Sequence, residues 1–165
     1  MALKLILTGG LPRGLLTAAL VVGADQLTKW AALQPLPPYQ PLPLAGFVNL
    51  TLAFNSGAAF SFLADGGGWQ RWLLSAVAIG VSAYLLVWLR GIARGKLVEV
   101  IGLGLILGGA LGNLIDRLWL GAVIDFIDLH YAGWHWPAFN LADTAITLGV
   151  VAVVASAWRD WRRGR

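Results

Sequence analysis

The chain has 165 residues, of which 58% are hydrophobic and only 12% charged, and its mean hydropathy is +0.73. Soluble domains carry roughly 25% charged residues, and disordered chains are poor in apolar ones, so both classes are excluded. Cysteine is absent, which removes disulfides, thiol catalysis and cysteine metal sites; the net charge of +4 in so apolar a chain reads as membrane orientation, not nucleic-acid binding.

A helix needs about 20 mostly apolar residues to cross a bilayer. The first such run covers about residues 15–33. Lys4 and Arg13 precede it as in a secretion signal, but no small-residue cleavage site follows, so it reads as a retained helix. Residues of about 34–68 come next, opening on Pro35, Pro37, Pro38, Pro41 and Pro43, which exclude helix and favour an extended path. The apolar run Phe47–Phe54, the turn Asn55-Ser56-Gly57 and the run Ala58–Leu63 together predict a hairpin. A second and a third span cover about 69–89 and 98–118, joined by a short loop bearing Arg90, Arg94 and Lys96. A loop of about 119–137 holds Asp125, Asp128, His130 and His135, and a fourth span covers about 138–158.

Nine of the twelve basic residues fall on one side of these spans: Lys4, Arg13, the three of the short loop, and Arg159, Arg162, Arg163 and Arg165. The positive-inside rule makes that side cytoplasmic, with both termini on it. The nine tryptophans lie near predicted span ends, where interfacial belts form. The expected architecture is a mainly α integral membrane protein: a single domain, residues 1–165, with four transmembrane helices and a small extracytoplasmic β-element over about 34–68.

The remaining polar residues collect at the opposite, outer face. Asp25 and Lys29 stand at i,i+4 near the end of the first span and can pair. Asn113, Asp116 and Arg117 occupy i, i+3 and i+4 near the end of the third, and Asn140 and Asp143 open the fourth. Asn55 and Asp125 lie in the outer segments. Ionisable residues at membrane depth point to function. Asp125 and Asp143 have no base beside them in sequence. Two aspartates at a poorly hydrated site share one proton, and such a pair can activate water and protonate a leaving amine. Asp25–Lys29 reads as a buried structural ion pair, and Asp116 beside Arg117 as scaffolding.

Plainer readings exist for several of these groups. Asp125 and Asp143 could be solvated loop and helix-cap acids, since a carboxylate is favourable at a helix N-terminus. Asp128 is read as a solvated or capping acid. Gly104, Gly108 and Gly112 suit close helix packing in lipid. His130 and His135 lack metal-site spacing, so no metal and no cofactor is expected. Ser56 and Ser61 sit in no nucleophile motif. The arginine-rich tail suits anionic lipid. A proton relay through Asp25, Asp116 and Asp143 would need ionisable groups near the midplane, and a partner-binding scaffold would tolerate loss of either Asp125 or Asp143.

Five motifs, in order and spacing, resemble the bacterial lipoprotein signal peptidase (signal peptidase II) family. They are Asp25-Gln-Leu-Thr-Lys29, Phe54-Asn-Ser-Gly-Ala-Ala-Phe60, Gly108-Gly-Ala-Leu-Gly-Asn-Leu-Ile-Asp-Arg117, Val123-Ile-Asp-Phe126 and Phe139-Asn-Leu-Ala-Asp143. The resemblance spans about residues 15–157. It implies a bacterial inner-membrane aspartyl endopeptidase that cuts prolipoproteins just before a diacylglyceryl-modified cysteine. By motif position Asp125 and Asp143 would be the catalytic dyad. Asn55, Asn113, Arg117 and Asn140 would bind or orient substrate and dyad, with Asp25, Lys29 and Asp116 as structural support. The implied fold is a four-helix bundle with an outward β-cradle, the implied partners are lipid-modified prolipoproteins and membrane lipids, and the chain is expected to act as a monomer.

Overall fold

Long runs of Leu, Ala and Val without an internal proline become four helices in the computed structural model, which describes residues 9–57, 67–92 and 96–164. They are α1 (Gly10–Leu33), α2 (Trp69–Gly91), α3 (Leu97–Trp119) and α4 (Leu141–Arg162). Pro12 lies in the first turn of α1, where its missing N–H costs no helical bond. At 1.5 Å per residue each helix is about 35 Å long, enough for a hydrocarbon core of about 30 Å. Three of them, α2, α3 and α4, are also apolar enough to cross a membrane. Over its length α1 matches them but carries Asp25, Gln26 and Lys29. Asp25 and Lys29 are buried inside the bundle, so the polar residues that lower its hydropathy face neighbouring helices.

Helix α3 lies at the centre, packed on α4, α1 and α2. Two glycine stripes allow this. A Cβ added at Gly108 would sit 2.6 Å from the Val21 Cβ of α1, and one at Gly102 would sit 2.9 Å from the Gly149 carbonyl of α4. Without hydrophobic drive between helices in lipid, such backbone approach is a main source of packing energy. The expected small-residue packing of Gly104, Gly108 and Gly112 is therefore used within the chain, against α1. Ala18, Leu85, Leu89, Val100, Leu103 and Leu107 complete the core between α1, α2 and α3.

At one end of the bundle four antiparallel strands form a sheet in the order β1 (Leu42–Ala45), β2 (Val48–Asn55), β3 (Val123–Tyr131) and β4 (Trp134–His135). The proline-rich stretch is extended, as its composition predicts, and ends in β1. One expectation changes. The segment 119–137, read as a loop, supplies half of the sheet. The partners of β2 are β1 and β3; the return strand expected over Ala58–Leu63 lies outside the described residues. Ala32, Leu36, Leu52 and Ile124 form a second small core beneath the sheet.

Register matters more than strand existence. Near one end Val48, Asn49 and Leu50 face Leu129, Asp128 and Ile127, whereas beyond an irregularity Ala53, Phe54 and Asn55 face Asp125, Ile124 and Val123. Three steps along β2 are matched by two along β3, as in a β-bulge. Because side chains alternate with period two, the extra residue moves Asn55 onto the same face as Asp125.

Candidate active site

Each site residue is held by a local device. Asn140 is the N-cap of α4: its Oδ1 accepts from the Asp143 N–H at 2.9 Å, and the Asp143 Oδ2 accepts from the Asn140 N–H at 3.2 Å. This reciprocal capping box orients the Asp143 carboxylate from the first turn of its own helix. Asp125 sits on β3, and the Ile127–Phe139 bridge brings the residue before the cap alongside that strand. Asn140 then reaches across, donating Nδ2 to Asp125 Oδ1 at 2.7 Å and to the Ile124 carbonyl at 3.1 Å. From β2, Asn55 Nδ2 donates to Asp125 Oδ2 at 3.2 Å. Asn140 therefore touches both aspartates, one with its side chain and the other with its backbone.

Behind this pair lies a buried ionic cluster. Lys29, 1% exposed, has three N–H donors and three acceptors: Asp25 Oδ2 at 2.8 Å, Asp116 Oδ2 at 2.7 Å and Asn113 Oδ1 at 2.9 Å. Asn113 passes the order forward by donating Nδ2 to Asp143 Oδ1 at 2.8 Å. Asp25 Oδ1 accepts from the Ala142 N–H of α4 at 2.9 Å, and Asp116 Oδ2 accepts from the Ile124 N–H of β3 at 3.2 Å. The cluster thus ties α1, α3, α4 and β3 together. A buried charge without such partners would be expensive, which is why the acids and the lysine occur as a set.

The ion pair expected between Asp25 and Lys29 is present. Asp116, grouped in sequence with Arg117, is satisfied by Lys29 instead. It also accepts from Gln26 Nε2 at 2.9 Å, a contribution the sequence signalled only as one more polar residue in an apolar helix. Arg117 turns the other way, donating Nη2 to the Gly57 carbonyl at 3.1 Å. Its buried Nε has no hydrogen-bond partner among the described residues. Gly57 N–H in turn donates to Asn55 Oδ1 at 3.0 Å, so Arg117 holds the turn that presents Asn55.

Asp125, Asp143, Asn55, Asn113 and Arg117 open into one cleft of about 800 Å³. It runs along the apolar side of α4 at Ile146 and Leu148, and at its other end meets Leu129 and Trp136 of the sheet region. Burial of Asp125, 3% exposed, together with the charge of Asp143, pushes its carboxyl pKa up to about 7 against the hydrogen bonds from Asn55 and Asn140 and the charge of Lys29. A carboxyl of that kind holds or releases a proton near neutrality, as an acid–base group must. Both plain readings of the pair fall short for Asp125, which is neither solvated nor a cap. Asp143 is a cap, yet its carboxylate also opens into the cleft.

Asp128 departs from expectation. It is buried, and accepts from Asn49 Nδ2 at 3.0 Å, from Thr51 Oγ1 at 3.3 Å and from His135 Nδ1 at 2.9 Å. Cross-strand pairing removes it from solvent, a placement that no local pattern foretells. Among the described residues, no group of three or more His, Asp or Glu is disposed to hold a metal ion.

A family model described as signal peptidase (SPase) II matches residues 17–159. The lipoprotein signal peptidase of Polynucleobacter necessarius subsp. necessarius is 48% identical over 151 residues, 92% of this chain and 90% of that protein. The lipoprotein signal peptidase of Teredinibacter turnerae is 50% identical over 137 residues, 83% of this chain and 82% of that one. A bacterial membrane enzyme solved by the in meso method at 2.3 Å resolution superposes with a TM-score of 0.82 at 29% identity, covering 92% of this chain and 91% of its own.

Proposed function

The chain belongs to the signal peptidase II family, and we propose that it is an aspartyl endopeptidase that removes the signal peptide from prolipoproteins, cutting before a diacylglyceryl-modified cysteine. The observation that carries the reading is the pair of carboxylates, Asp125 and Asp143, opening into one largely apolar cleft and joined through Asn140.

In this reading the pair holds a single proton near neutral pH, assigned to Asp125, whose carboxyl is pushed up to about 7, while Asp143 carries the charge. Ionised Asp143 takes a proton from water as the water oxygen attacks the scissile carbonyl carbon, while Asp125 donates its proton to the carbonyl oxygen. Collapse of the tetrahedral intermediate breaks the C–N bond, with a proton returned from the pair to the leaving amine. No covalent intermediate forms, and no metal or cofactor takes part. Asn55, Asn113 and Asn140 orient the pair and offer amide groups to unwound substrate backbone, which a bilayer tolerates only where protein satisfies it. Arg117 anchors the turn bearing Asn55, and Asp25, Lys29 and Asp116 hold the frame.

Membership of this bacterial family supports an inner-membrane location, and the one-sided distribution of basic residues supports α1 as a fourth span, both termini in the cytoplasm and the cleft at the outer face. Ile146 and Leu148 give the cleft an apolar side that suits acyl chains arriving laterally from the bilayer. In this reading the protein acts as a monomer, with both carboxylates and the amides that orient them supplied by one chain.

Purified protein in detergent or lipid, given a diacylglyceryl-modified prolipoprotein, should release the signal peptide. Asp125→Asn and Asp143→Asn should each be folded and inert. Cleavage that survives both substitutions would remove the dyad from the mechanism, and equal cleavage of unlipidated substrate would remove the lipid specificity.

A further inference from the structure

The Asp128 cluster lies outside the catalytic frame, and its geometry suggests a task. Along β3 the side chains alternate, so Asp125 and Leu129 share the face that lines the cleft, while Asp128 and His130 lie on the reverse face. His130 pairs with His135 across β3 and β4, which puts His135 on the reverse face with Asp128. His135 Nδ1 lies 2.9 Å from Asp128 Oδ1 and 3.1 Å from Oδ2. The next residue, Trp136, donates its backbone N–H to the Leu129 carbonyl at 2.8 Å and lines the cleft with Leu129. The connection between β3 and β4 passes through Ala132 and Gly133, both at positive φ, a backbone state that non-glycine residues adopt at a cost. Something must hold this tight turn closed, and β4 has only two residues to do so.

We propose that Asp128 and His135 form a latch on the back of the sheet that holds Trp136 and Leu129 as the outer wall of the cleft, and so positions the extended substrate chain leaving the site beyond the scissile bond. Both are positioning residues, acting through Trp136. This rests on the peptidase reading above. Burial alone would raise the Asp128 carboxyl, but hydrogen bonds from Asn49, His135 and Thr51 outweigh it and hold the carboxyl below the usual carboxylate range. Asp128 therefore presents an acceptor to the His135 Nδ1–H. His130 stacks on His135 with centroids 5.3 Å apart, and from β2 Asn49 and Thr51 donate to Asp128.

The test is steady-state cleavage of the lipid-modified substrate by the full chain, with hydrogen exchange of the 131–138 segment. His135→Ala and Asp128→Asn should raise KM about five-fold with kcat within about two-fold, since a contact with one half-exposed partner is modest in strength. His135→Asn, whose amide can place a donor near the position of Nδ1, should keep the low KM; a merely structural role gives no such rescue. His135→Ala should also speed exchange of the Trp136 amide. Unchanged KM in His135→Ala, or a fall in kcat alone, overturns the proposal. Should wild-type protein cleave no lipoprotein, the peptidase reading fails by itself and exchange decides the latch: faster exchange in His135→Ala upholds it, equal exchange overturns it.

Discussion

Lys29 Nζ donates to Asn113 Oδ1 across 2.9 Å, and that bond decides which way round the Asn113 amide sits. An ammonium has only donors, so the amide oxygen must face Lys29 and the nitrogen must face forward, where it donates to Asp143. A charge buried in the frame thereby sets the hydrogen-bonding polarity of the cleft without entering it.

Lys29→Met should expose this dependence. Asp25 and Asp116 would be left as buried carboxylates without their cation, at a cost of about 3–5 kcal/mol. The measurement is thermal unfolding in detergent, where a marked drop in Tm is expected together with loss of cleavage. Asn113→Asp, by contrast, retains an acceptor toward Lys29 but sets an anion against Asp143. It should fold and be inactive, and a fully active Asn113→Asp protein would show that amide polarity is irrelevant.

Asn140 combines two tasks that one substitution can separate. Serine is as good an N-cap as asparagine, so Asn140→Ser retains the bond to the Asp143 N–H but loses the reach to Asp125 and the Ile124 carbonyl. Stability should fall by about 1–2 kcal/mol, while kcat should fall about 100-fold or more through misorientation of the pair. Parallel, equally small changes in both quantities would reduce Asn140 to a cap.

The raised pKa of Asp125 makes a stability prediction whose sign is opposite to that of a salt-bridged acid. The carboxyl titrates at 3.8 in its ordinary state and at about 7 when folded, so between those values the native protein binds more protons than the unfolded chain. Stability contributed by this group is present at low pH and declines as pH rises from about 4 to about 7. Asp125→Asn should flatten that decline and be the more stable protein at about pH 8, by on the order of 2 kcal/mol. Melting curves of both proteins at about pH 5 and 8 check it, and the cleavage rate of wild type should fall on both sides of the pair's titration.

Close helix approach can be tested with one pair of glycines. A Cβ at Gly112 would lie 2.5 Å from Asp25 Oδ2, whereas one at Gly80 in α2 meets nothing within 4 Å. Gly112→Ala should destabilise by about 1–3 kcal/mol through overpacking and lower activity by shifting Asp25. Gly80→Ala should be neutral or stabilise by about 0.5–1 kcal/mol, from helix propensity alone. Equal effects at both positions would dissociate the glycine stripe from the site.

Hydropathy and charge are properties of the chain in one dimension, and they determined much of this protein. The four apolar runs, the side on which the basic residues gather and the clustering of Asp25, Lys29, Asn113, Asp116, Arg117, Asn140 and Asp143 at the opposite ends of the spans all follow from spacing along single helices. So does the pairing of Asp25 with Lys29, one turn apart. Four features were decided only by tertiary structure: that residues 123–131 are a strand, that an irregularity between Leu50 and Ala53 turns Asn55 toward Asp125, that Asp116 takes Lys29 instead of Arg117, and that Asp128 is buried against Asn49, Thr51 and His135. The physical reason is common to them. Strand register and the choice of partner for a buried polar group depend on which distant side chains are brought together, and a one-residue slip reverses every facing.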